Sequence, residues 1–348
     1  MSFQRIWAMF VARNYEFFRD KAAFGWNFAF PFLIIIGFSI MFGHQDQKQF
    51  KIGIFPVDSP SSAFSQGTVP ASLQTSKQLD FVTFPNQKEG EEKLRHYKID
   101  LLLDRNSTTH AYWINEASPN GYLAEQIFLA SFLSKDQPVA AKQVVHGEQI
   151  RYVDWFFPGV MAMNMMFSAL WGVGFVVVRY RKNGTLKRLK ATPLTAFEYL
   201  TAQMISRIFL LMFTLCVVWF GSNLIFHFQI HGSYLLVFFL FFLGGLNLCG
   251  MGLVLAARGT SEEFASGVLN IISWPMMFLS EVWFSLDGAP KWVRTSAEIF
   301  PLAHLLQAVR KVMNDGAGFA AVQNDVAFLG ISTVVFLLIA AAIFSWNE

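Results

Sequence analysis

The sequence predicts an α-helical integral membrane protein with six transmembrane helices, an inserted external α/β domain and an N-terminal amphipathic interfacial helix. Three observations predict it. The 348 residues are 54% hydrophobic and 15% charged, with 39 Phe and a mean hydropathy of +0.39. That leaves too little polar surface to cover a soluble globule of this size. Six apolar runs, at 22–43, 155–178, 208–226, 233–257, 264–280 and 326–346, contain no charged residue, and each approaches the length of a membrane crossing. Between the first two, residues 44–152 carry 11 Lys and Arg and 12 Asp and Glu, the composition of a water-facing domain.

In order along the chain, residues 1–21 form the interfacial helix: Phe3, Ile6, Trp7, Phe10, Phe17 and Phe18 share one helical face, and Arg5, Arg13, Glu16, Arg19 and Asp20 the other. Such a segment lies in the interface plane rather than across the bilayer. Residues 22–43 span about 33 Å at ~1.5 Å per residue, enough for a hydrocarbon core of roughly 30 Å. The run is too long for a secretory signal and no small-x-small cleavage site follows it, so it reads as a retained span. Pro31 predicts a kink within it. Residues 44–152 alternate strand-like runs (51–57, 79–84, 99–103, 110–114) with helix-like ones (87–96, 121–133), around a loop-rich stretch at 58–72. The strand at 99–103 is expected at the centre of a small α/β domain. Residues 153–348 supply the other five spans. Among these the run at 264–280 is short and contains Pro275, and residues 281–322 read as an external turn followed by a helix over 302–313 that lies on the outer membrane surface.

One segment dominates the charge distribution. Residues 179–199 read RYRKNGTLKRLKATPLTAFEY, and its first twelve positions contain Arg179, Arg181, Lys182, Lys187, Arg188 and Lys190 with no acid, in a chain whose formal net charge is +3. Lys and Arg in short loops stay on the cytoplasmic side. The N-terminal segment, this loop and Arg258 place eleven basic residues on one side; Lys291, Arg294, Arg310 and Lys311 lie on the other. Both termini are therefore expected in the cytoplasm and 44–152 outside. With the positive charge concentrated in one loop, nucleic acid is not an expected partner.

The sequence contains no phosphate-binding G-x-x-x-x-G-K-[ST] loop, no H-E-x-x-H and no G-x-S-x-G. Its seven histidines have no ligand spacing and Cys216 and Cys249 lie in apolar runs, so no catalytic residue, metal or disulfide framework is expected. Asn164, Asn223, Asn247 and Asn270 lie within the spans and are candidates for a substrate path; their alternative role is hydrogen bonding between helices. Ser168-x-x-x-Gly172 and Gly252-x-x-x-Ala256 would allow close helix approach. Arg207 and Glu281 fall only at span ends, which leaves no mid-membrane ionisable group to couple an ion gradient to transport. Energy for uphill movement would have to enter elsewhere, and the basic loop is the place to receive it.

The loop at 179–195, RYRKNGTLKRLKATPLT, resembles the segment after the second span in type 2 ABC transporter permeases. So does the tail, where Phe300-Pro301-Leu302 precedes Ala308-Val309-Arg310. The resemblance covers essentially the whole layout. It implies a permease subunit of an ATP-binding-cassette exporter in the bacterial cytoplasmic (inner) membrane, a multi-pass protein and not itself an enzyme, paired as a homo- or heterodimer. It also implies a separate ATPase subunit that binds ATP and Mg, with no cofactor on this chain. Carried over to this sequence, Arg179 opens the coupling segment and Gly184 permits its turn. Leu186 and Leu189 would face the ATPase groove, Lys187 and Arg188 would pair with its acids, and Thr192 and Pro193 would end the helix. Glu262 and Glu263 are candidates for a second contact. The aromatic-rich spans suggest a hydrophobic or amphiphilic cargo such as a drug, lipid or lipid-linked molecule, in contact with membrane lipid, and the external domain is a candidate surface for a periplasmic adaptor. A rival reading is a membrane-anchored sensor whose external domain binds a ligand. A lipid-modifying enzyme would need paired carboxylates, which Asp46, Asp58, Asp104 and Glu116 do not suggest.

Overall fold

The computed structural model describes residues 3–42, 50–56, 73, 76, 79–95, 98–107, 111–115, 118–132, 151–257, 261–286 and 289–344. The loop expected at 58–72 lies outside them, as do Asp46, Asp58, Glu116, Arg258 and four of the histidines, at positions 44, 96, 110 and 146. The chain divides into two compact units, Met1–Gly43 with Gln149–Glu348, and His44–Glu148.

The larger unit is helical. Helix α1 (Phe3–Arg19) is amphipathic and α2 (Lys21–Phe42) is apolar on all sides, with Pro31 inside it. After the inserted unit comes one long helix in three parts: α5 (Tyr152–Ala169), a π-helical stretch (Leu170–Phe175) and α6 (Val176–Lys182). Then follow the short α7 (Thr185–Lys190), α8 (Ala196–Phe226), α9 (Tyr234–Ala256), α10 (Glu262–Leu279), α11 (Lys291–Ala297), α12 (Pro301–Asp315) and α13 (Phe319–Ile343).

Five of these helices are long and apolar enough to cross a membrane among the described residues: α2, α5 through α6, α8, α9 and α13. The run expected as a further span at 264–280 is α10, an 18-residue helix that opens on Glu262 and Glu263. At ~1.5 Å per residue it reaches about 27 Å, just short of a typical hydrocarbon core.

Several helices extend beyond the apolar runs that announced them, α8 the furthest. The third run was expected from 208, but α8 begins at Ala196, where Thr195 accepts from the Glu198 backbone N–H and Glu198 returns a bond to the Thr195 N–H. This reciprocal cap satisfies two otherwise orphaned donors. Arg207 is consequently inside a 31-residue helix rather than at its end.

The core of this unit is built on α5 and α9. Phe156, Phe157, Val160 and Met166 of the former and Val237, Leu240, Phe241 and Leu248 of the latter are almost fully buried. The close approach expected at Gly252 is present: it packs against Gly174 of the π-helical stretch, where an added Cβ on Gly174 would lie 3.1 Å from the Gly252 carbonyl oxygen. The helix expected at 302–313 is α12, started by Pro301 and ended by Gly316.

The smaller unit holds β1 (Phe50–Phe55), β2 (Leu79–Thr83), α3 (Gln87–Arg95), β3 (Leu101–Asp104), β4 (Tyr112–Ile114) and α4 (Pro119–Ala130). The sheet order is β2-β1-β3-β4, with β1 parallel to both neighbours and β4 antiparallel to β3. Residues along a strand point alternately to the two faces. Ile52, Ile54, Leu101 and Leu103 pack with Ala124 and Phe128 of α4, while Phe55 and Leu102 pack with Leu94 of α3 on the other face.

Candidate functional site

The basic loop is a helix–turn–helix–turn held from within. Asn183 closes α6, and Gly184 adopts a left-handed conformation with φ 73°. The Asn183 side-chain oxygen then accepts from the Thr185 N–H at 3.1 Å and its hydroxyl at 2.7 Å. Helix α7 has only six residues, TLKRLK, and its last turn places Lys187, Arg188 and Lys190 where the negative end of the helix dipole favours cations. At its end the Thr192 hydroxyl donates to the Leu189 carbonyl at 2.6 Å, and Pro193 follows.

Leu186 was expected to face a partner. Instead it is fully buried in the chain's own core, and Leu189 packs half-buried beside it. A helix this short needs an apolar anchor, and Leu186 provides it. Lys187, Arg188, Lys190, Thr192 and Pro193 are exposed.

The remaining basic residues join the loop to the rest of the unit. Arg181, 2% exposed, donates to the Ala256 and Ala257 carbonyls at 3.0 and 2.9 Å. Arg179 lies 3.7 Å from Glu16 of α1. Lys182 is 3.6 Å from both Glu262 and Glu263, so the candidates for a second partner contact meet the basic loop of their own chain. The Glu263 carboxyl is held below its usual range, first by its own backbone N–H, then by the Ser261 hydroxyl and Lys182. From α1, Arg5 donates to the Pro193 carbonyl and lies 3.7 Å from the buried Glu198.

The four span asparagines lie on four helices and have different environments. Asn247 is fully buried and donates to the Leu329 carbonyl and the Ser332 and Thr333 hydroxyls, tying α9 to α13. Asn223 accepts from the Phe228 N–H and closes the end of α8. Asn164 is buried within α5, and Asn270 is exposed on α10, bonded one turn back to the Ser266 carbonyl. Asn27, also within a span, links α2 to two other helices: it donates to Thr214 of α8 at 2.7 Å and accepts from Ser168 of α5 at 3.2 Å.

Hydropathy did not reveal a polar cavity of 210 Å³ between α1, the π-helical stretch and α8, lined in part by Arg13, Glu16, Arg179, Gln203 and Arg207. Arg207 donates to the Ser168 carbonyl and hydroxyl, and Gln203 to the Gly172 carbonyl at 3.3 Å. The Arg207 guanidinium occupies the space that a side chain at position 172 would need: an added Cβ would meet its Cζ at 1.9 Å. A side chain there would require the Arg207 guanidinium to move.

Comparison with known proteins gives one consistent result. The model of a family described as ABC-2 family transporter protein matches residues 21–342. The probable multidrug ABC transporter permease YbhS of Escherichia coli strain K12 is 24% identical over 97% of this chain and 96% of its own. The probable multidrug ABC transporter permease YbhR of the same strain is 23% identical over 73% of this chain and 70% of its own. The daunorubicin resistance ABC transporter permease protein DrrB1 of Streptomyces coeruleorubidus is 21% identical over 48% and 60%.

Proposed function

Because this chain belongs to the ABC-2 family of transporter proteins, we propose that it is the permease subunit of an ATP-driven exporter in a bacterial inner membrane. In this reading α10 is the short fifth of six spans, the termini and α7 face the cytoplasm, and residues 44–152 face outward, where an adaptor could dock. Two such permeases, identical or sister chains, pair to enclose the path, and each receives an ATPase subunit that binds ATP and Mg.

The observation that carries this reading is the construction of α7. Leu186 fixes the helix to the core while Lys187, Arg188 and Lys190 are displayed outward, and Arg181 connects its preceding helix to the end of α9. A partner with an acidic groove would find a presented, rigidly mounted cationic helix. Closure of the ATPase pair then shifts the permease between two states, to the extent that it holds them with different contact energy. The relatives' names, multidrug and daunorubicin resistance, support a hydrophobic or amphiphilic cargo. Asn270, exposed on the least apolar of the long helices, is the span asparagine best placed to meet it.

The test is co-purification of the detergent-solubilised chain with its ATPase, comparing the wild type with Lys187→Glu plus Arg188→Glu. The wild type should retain an ATP-hydrolysing partner and the charge reversal should lose it. A wild type that retains none favours the sensor reading.

A further inference from the structure

The cavity between α1, the π-helical stretch and α8 plays no part in the coupling just described, and its chemistry is specific. Its lining contains three arginines, Arg13, Arg179 and Arg207, against two carboxylates, Glu16 and Asp20. Glu16 is shared: it lies 2.5 Å from Arg13 and 3.7 Å from Arg179, and also accepts from the Tyr180 hydroxyl. Arg207 has no such partner. Its hydrogen bonds go to the neutral Ser168, its Nε is buried without a partner, and among the described residues no carboxylate lies within ion-pair distance. Beside it Gln203 is 1% exposed, and its side-chain oxygen is also buried without a partner.

A half-buried charge without an ionic partner and a buried acceptor without a donor are both costly. Both residues line one cavity of 210 Å³, far larger than the ~10–15 Å³ that a single water needs. The cavity reaches the surface through Glu16 and Arg179, which are each about half exposed. Its other wall is apolar, with Phe17 and Leu210. Phe17 belongs to a ring cluster with Phe18 and Phe24, and Phe18 is 42% exposed. One cation at the inner end, another at the rim and an aromatic flank match an amphiphile with an anionic head.

We propose that this cavity is a binding site for the phosphodiester head group of a phospholipid from the leaflet on the α1 side. Arg207 and Arg179 would hold the phosphate oxygens, for which the guanidinium fork is suited. An acyl chain would lie along Phe17 and Phe18. A bound lipid would thereby fasten α1 to α8 at the base of the coupling segment. The assignment does not depend on what the protein transports or on which ATPase it uses.

The full chain, delipidated in detergent, is titrated with phosphatidylglycerol, with diacylglycerol lacking the phosphate, and with inorganic phosphate, and bound species are counted by native mass spectrometry. Phosphatidylglycerol should bind one per chain and diacylglycerol should not. Arg207→Gln should weaken binding about tenfold or more, as expected for loss of a charge-assisted hydrogen bond. Arg179→Gln, at the exposed rim and tolerant of folding, should weaken it by several-fold. Equal binding by wild type and both folded variants overturns the site. Should Arg207→Gln not fold, unchanged binding by Arg179→Gln overturns it. Diacylglycerol binding as tightly removes the role of the phosphate, and Arg207-dependent binding of inorganic phosphate without phosphatidylglycerol overturns the lipid assignment.

Discussion

His304 illustrates how one side chain fastens two helices. Its Nδ1 lies 2.9 Å from Asp325 of α13 and its Nε2 2.9 Å from the Glu298 carbonyl, while the ring stacks on Phe328 with centroids 3.9 Å apart. Lys311 takes the other Asp325 oxygen at 3.0 Å. With acceptors at both nitrogens the imidazolium is the satisfied form. Its pKa is raised above the ordinary 6.5, first by the hydrogen bond to Asp325, and burial only partly opposes this. A pKa raised on folding contributes stability fully below the unfolded value, and that stability is lost as pH rises through the folded value. Attachment of α12 to α13 should therefore loosen from pH 6 to pH 9, seen as faster amide exchange in α12, and His304→Gln should flatten the difference. Unaltered exchange in the wild type across that range would show that the pair does not titrate there. Nothing in the spacing of the histidines announced this contact, since its partner is 21 residues away and on another helix.

At the level of elements, the turn before α7 has a single conformational requirement. Gly184 has φ 73° and a Cβ there would meet nothing within 4 Å, so Gly184→Ala should cost about 1 kcal/mol through backbone strain alone. Thermal unfolding in detergent should show that loss and Gly184→Asn should recover much of it, because Asn tolerates the left-handed region. This turn was legible, as were the positions of nearly all the helices and strands, because apolar runs and alternation report local burial. Helix ends were less legible. Arg179, Arg181 and Lys182 read as loop, yet they continue the α5–α6 helix past its apolar part, and the polar start of α8 resembled a linker. Arg207 looked peripheral because hydropathy is one-dimensional. Its neighbour, Gly172, is supplied by a different helix. Leu186 was assigned outward because its spacing with Leu189 does not reveal which apolar surface it covers.

For the molecule as a whole, the crossing helices divide into inner and outer members. Two thirds of the most apolar stretch of α5–α6 is buried (67%), against 11% for α2 and 17% for α13. The outer pair therefore has few fully buried residues in this chain. The inserted unit has its own two-faced core on a four-stranded sheet. Residues 44–148 produced alone should consequently fold, with a single sigmoidal urea transition by circular dichroism; a gradual, uncooperative one would show that the sheet depends on the rest of the chain. Arg181 has a wider consequence. Helix C-termini normally fray because their last carbonyls lack partners, but the end of α9 has two of its carbonyls held by a guanidinium from α6. In the proposed transport cycle, this joint would pass a displacement of α6 on to α9 with little slack.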